Sequence, residues 1–223
     1  MPRLPDPAPL ADGVRSFADF LSWLGVPADR VLLRPPPGMA NVSDVLRVER
    51  QENRQCELVC GTLVEKRLGY KTSAIAAALL AELEPHVAKK RLGVVTGPDA
   101  PYRLGDYLVR IPAVAYCAAG SYPGDVNPGE AAPEVIPRLV AEISDDDTSP
   151  TEMTRKLEDY FSAGVKLVWV IDLAKHSATA YTSPKKSTTI SASGTLDAGR
   201  AVPGFKLPVK QLFRQLGAVK GRK

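Results

Sequence analysis

At 223 residues, with 44% apolar and 24% charged side chains, the chain has the composition of a globular protein and enough apolar mass for a core without disulfide or metal staples. Its net charge of +4 permits nucleic-acid binding without requiring it, and its two histidines and three cysteines (Cys56, Cys60 and Cys117) lack the spacing of a zinc site. The longest apolar stretch, SAIAAALLAEL, falls short of the roughly 20 residues a membrane helix needs, and the proline-broken start lacks the apolar run of a secretory signal, so no membrane and a reducing cytoplasm are expected.

Residues 1–12 are proline-rich and are expected to be mobile. VRSFADFLSWLG sets Phe17, Phe20, Leu21 and Leu24 at helical spacing and stops at Gly25. LLRPPPGM is incompatible with regular structure, and Ser43 is the expected cap of a short helix in DVLRVER. Residues 1–50 therefore read as an N-terminal helical arm, 51–215 as the main domain and 216–223 as a basic tail. The domain opens with two β-prone runs in CELVCGTLVEK, turning at Gly61. A long helix follows, apolar at Ile75, Leu79, Leu80 and Leu83, with Gly93 ending the segment. GVVTG, APYRL and YLVRIPAVAYC are shorter strand candidates, and AAGSYPGDVNPGEAAPEV is a loop. LVAEIS is a strand carrying Glu142, PTEMTRKLEDYFSAG a helix with Pro150 in its first turn and Gly164 at its end, and KLVWVID a central strand. A hairpin over SATAYTS and STTISA and a short closing helix, PVKQLFRQL, complete the chain. Strand, helix, strand at residues 137–143, 151–163 and 166–172 predicts a parallel pair, and the whole order predicts an α/β fold with a mixed β-sheet flanked by helices.

Several familiar motifs fail. GYKTS lacks the spacing of a phosphate loop, neither G-x-S-x-G nor G-x-G-x-x-G occurs, and His86 and His176 have no triad partners. The stretch LVAEISDDDTSP is more informative. Strand alternation turns Glu142 away from Ala141 and Ile143, and Lys156 lies on the helix that must pack back over the sheet. A strand-end carboxylate beneath a lysine suits phosphodiester chemistry, although Lys156 could equally pair with Glu152 or Asp159 across helical turns. Asp145, Asp146 and Asp147 read as a solvated turn that suits the dipole of the next helix.

Taken in order, CELVCGTLVEK, GYKTSAIAAALLAEL, GVVTGPDAPYRL, LVRIPAVAYC, LVAEISDDDTSPTEMTRKLEDYFSAGVKLVWVID and AVPGFKLPVKQLF resemble the Uma family of restriction-endonuclease-like proteins, within the PD-(D/E)XK nuclease superfamily. The resemblance covers about residues 30–213 and is most specific from Glu142 through Lys156, Tyr160 and Gly164 to Trp169 and Asp172. It implies a Mg²⁺ site, DNA as substrate, and catalytic roles for Glu142, Lys156 and Glu57, with Glu142 as metal ligand. The family's Pro-Asp-Val-Ala motif is here Pro112-Ala113-Val114-Ala115, so the motif aspartate is missing and Asp99 would have to serve as the second metal ligand. Cys60 and Thr72 also stand where relatives carry charged or ligating side chains.

Two functions follow from that pattern. One is a Mg²⁺-dependent DNA endonuclease with impaired activity; the other is a pseudonuclease, a nucleic-acid-binding or regulatory module that does not cut. Lys89, Lys90 and Arg91, or the tail residues Lys220, Arg222 and Lys223, are candidate phosphate contacts, and a homodimer is left open.

Overall fold

The computed structural model describes residues 13–67, 69–121 and 132–217; the proline-rich start, part of the expected loop after Ala118, and the tail lysines and arginine lie outside them. Helix α1 (Phe17–Leu24) begins at Ser16, whose hydroxyl accepts from the Asp19 N–H while the Asp19 carboxylate accepts from the Ser16 N–H, and it ends at Gly25 in the left-handed conformation. Helix α2 (Val42–Glu52) is capped by Asn41, not Ser43. The Asn41 side chain accepts from the Ser43 N–H and Asp44 closes a capping box, so the helix starts two residues earlier than DVLRVER suggests.

Strands β1 (Cys56–Val59) and β2 (Thr62–Glu65) form the expected hairpin. Its turn residues Cys60 and Gly61 both have positive φ, 45° and 66°, which fits a tight turn matched to strand twist. Helix α3 (Tyr70–Lys89) stops before Gly93. That glycine instead opens β3 (Gly93–Thr96), where a Cβ would lie 2.0 Å from the Cys117 carbonyl oxygen. β4 (Tyr102–Gly105) follows. The run YLVRIPAVAYC divides at Pro112, which has no N–H to give a ladder, into β5 (Leu108–Arg110) and β6 (Val114–Ala118). Next come β7 (Leu139–Ser144), α4 (Pro150–Ala163), β8 (Leu167–Asp172), β9 (Ser177–Ser183), β10 (Lys186–Ile190), β11 (Thr195–Asp197) and β12 (Lys206–Pro208). The closing helix is two short turns, α5 (Val209–Leu212) and α6 (Arg214–Gly217).

The strands make two principal sheets where a single one was expected. β2-β1-β5-β4 is antiparallel, and β10-β9-β8-β7-β6-β3 is mixed, with β7 and β8 parallel across α4 as the strand–helix–strand pattern predicts. The division at Pro112 sends β5 to one sheet and β6 to the other, so Ile111, Pro112 and Ala113 bridge them. The mixed sheet is covered on both faces. Ala141, Ile143 and Trp169 pack with Ile75, Leu79 and Leu83 of α3, whereas Val140 and Val168 pack with Leu157 and Tyr160 of α4. Strand alternation thus places Glu142 on the α4 side. The N-terminal segment is tied to that helix: Arg155 lies 3.6 Å over the Trp23 ring, and Arg30 grips Glu152 through two bonds of 2.9 and 3.0 Å.

Candidate active site

β7 and α4 create the site between them. Glu152, Lys156 and Tyr160 recur every fourth residue along α4, so they share the face turned to the sheet, and all three are buried. Lys156 Nζ donates to Glu142 Oε2 at 3.3 Å, and the Tyr160 hydroxyl donates to Glu142 Oε1 at 2.5 Å. Glu57 of β1 joins from the other sheet, its Oε1 being 3.6 Å from Lys156 Nζ. The Ile111 N–H donates to Glu57 Oε1 at 3.0 Å, and Arg110 Nη1 donates to Oε2 at 2.6 Å. Arg110 in turn holds Asp159 through Nε at 2.9 Å. Glu57, Arg110, Glu142 and Lys156 expose only 1%, 2%, 4% and 7% of their surfaces, so charges in this chain must compensate one another without help from water.

The electrostatics follow. Burial pushes the Glu57 carboxyl upward, but Lys156, Arg110 and Lys66 outweigh it and hold the group at about 2. Burial pulls Lys156 down, and Glu142 and Glu57 outweigh that to raise it. Tyr160 is driven well above its ordinary value by burial and by the adjacent Glu142 carboxylate.

A cleft of about 410 Å³ opens beside this chain, lined by Lys66, Thr72, Ala113, Glu142 and Lys156 among others. Glu142 and Lys156 therefore converge as their sequence spacing suggests, and Lys156 takes neither Glu152 nor Asp159, which belong to Arg30 and Arg110. Glu57 reaches Lys156 from beneath rather than lining the cleft. Asp99 does not line it and accepts a bond of 3.0 Å from Gln55. Sequence reasoning missed Arg110 and Lys66, and weighed Asp159 only as a partner for Lys156 rather than for Arg110. Arg110 offers one signal, a lone arginine closing the apolar strand LVR, which needs a buried carboxylate partner.

The family model described as "Putative restriction endonuclease" (Uma2) matches residues 42–210. The chain belongs to this family. A comparison with curated proteins gives no match. Among solved structures, a putative nuclease from Anabaena variabilis is similar with a TM-score of 0.63 at 19% identity, over 74% of this chain and 92% of that one, which supports the restriction-endonuclease-like fold.

Set against the Mg²⁺ that the Uma2 family pattern implies, the residues do not fit. Mg²⁺ takes oxygen ligands in near-octahedral order, and position 113 offers a methyl group to the cleft. Both oxygens of Glu142 and both of Glu57 already accept from donors of the chain. Among the described residues no three Asp, Glu, His or Cys side chains gather as a metal cluster, and Asp99, the expected second ligand, lies outside the lining of the cleft that Glu142 borders.

Proposed function

We propose that the chain is a non-hydrolysing member of its nuclease family, a module that contacts nucleic-acid backbone without cutting it. The observation that carries this reading is the state of Glu142, whose carboxylate is satisfied by Lys156 and Tyr160 while Ala113 supplies no second carboxylate beside it. Phosphodiester hydrolysis in such folds relies on charge placed at the reacting phosphate, and here the charges are spent on one another. The net charge of +4 allows backbone contact, which would weaken steeply with salt. None of the three cysteines forms a disulfide, which suits a reducing compartment such as the cytoplasm. The competing reading, a Mg²⁺-dependent endonuclease using Glu142, Lys156 and Glu57, draws on the convergence of those three groups.

Supercoiled plasmid incubated with the protein and Mg²⁺ or Mn²⁺ separates the two. The expected result is no nicking above that of a Glu142→Ala control, together with salt-sensitive retardation of a labelled duplex. Efficient metal-dependent nicking that Glu142→Ala abolishes would establish the endonuclease instead.

A further inference from the structure

Lys66 stands directly after β2, its N–H bonded to the Gln55 carbonyl at 2.9 Å, so the hairpin fixes where its side chain departs. Its ammonium donates to the Ile111 carbonyl and, at 3.3 Å, to the Pro98 carbonyl, two oxygens from separate segments. Glu142 lines the same cleft as Lys66, and its carboxylate favours the charged form of the lysine. Carbonyl oxygens with a carboxylate nearby are the environment a hard cation seeks, and a lysine ammonium with three donors satisfies the same oxygens. Ala113 follows Ile111 by two positions, and its methyl lines the same cleft. Lys66 and Lys156 together bring two positive charges to Glu142 and Glu57, the charge of one divalent ion. Arg110 and Asp159 form a further neutral pair behind them.

We propose that the Lys66 ammonium is the resident cation of this cleft, taking the place of a divalent metal in the charge balance around Glu142. An aspartate introduced at position 113 would then pair with Lys66 instead of recruiting metal. The inference deepens the non-hydrolysing reading and rests on it, since a cleft that held Mg²⁺ would leave no role for the lysine.

The test uses the full chain, Ala113→Asp, and Lys66→Met combined with Ala113→Asp, titrated with Mn²⁺ by calorimetry and melted in EDTA. The unaltered protein and Ala113→Asp should show little or no saturable Mn²⁺ binding, and Ala113→Asp should melt higher than the unaltered protein in EDTA. The double variant should bind Mn²⁺ more tightly than Ala113→Asp, on the order of tenfold. Ala113→Asp that binds Mn²⁺ as tightly as the double variant overturns the proposal, as does an Ala113→Asp chain that melts no higher in EDTA. If the methionine variant does not fold, Lys66→Gln keeps a donor for the Ile111 carbonyl and replaces it in the titration. Nicking by the unaltered protein would refute the proposed function through a separate measurement, so the two failures are told apart.

Discussion

Glu57 and Arg110 illustrate how strongly single residues are constrained here. The pair is buried at 2.6 Å, and removing Glu57 leaves Arg110 to Asp159 alone and Lys156 to Glu142 alone, one carboxylate short in a dry interior, a loss of about 3 kcal/mol. Glu57→Gln should lower stability by that order, read from urea denaturation at neutral pH. Acid adds a second signature. Because the folded carboxyl sits at about 2 against an ordinary 4.5, its contribution is complete above pH 4.5 and drains away as pH falls toward 2. Glu57→Gln should flatten that part of the pH–stability curve, and an unchanged acid limb would show that other carboxylates govern it. Lys66 behaves in the opposite sense. Burial pulls it down to about 8 from 10.5, with Glu142 offsetting only part, so the folded chain releases its proton earlier than the unfolded chain. Stability should therefore rise between pH 8 and 9 and lose that rise in Lys66→Met. Above pH 9 the buried Cys56 thiol, pushed up to about 11, acts the other way, so the slope must be read below it.

At the scale of elements, α4 carries most of the organisation. One face supplies Lys156 and Tyr160 to Glu142, while its first turn holds the N-terminal segment through Glu152 and Arg30. The junction is close. A Cβ on Gly25 would lie 2.6 Å from the Glu152 backbone nitrogen, and Gly25 has φ of 71°. Gly25→Ala should cost about 1–3 kcal/mol from crowding and backbone strain together. The nearby Trp23, stacked under Arg155, should report it as altered fluorescence before global unfolding. Full retention of stability would mean that α1 contributes little to the hold on α4. The element boundaries show where sequence reasoning reaches. Gly25 and Gly164 were legible helix stops because each adopts the left-handed conformation at a helix end. Gly93 was misleading, since its freedom serves a strand pressed against the Cys117 carbonyl rather than a helix end. Asn41 took the cap expected of Ser43 because both types compete for the same N–H groups and only backbone direction decides between them.

Over the whole molecule, the two sheets meet where Ile111, Pro112 and Ala113 pass from one to the other, and this passage brings Glu57 into reach of Lys156. Among the described residues no helix is long and apolar enough to cross a membrane. The sequence by itself determined the family, the parallel β7–α4–β8 unit, and the meeting of Glu142 with Lys156. All of these rest on local periodicity and short spacing, where strand alternation and the helical repeat fix which side chains face each other. Only the tertiary structure decided what the site's charges do. Glu57, Arg110 and Asp159 are separated by 53 and 49 residues along the chain, and Lys66 finds the Ile111 carbonyl 45 residues away. No periodicity links such positions. In a buried, low-dielectric space each charge takes whichever partner the packed sheets bring nearest, and that choice is made when the two sheets close on one another.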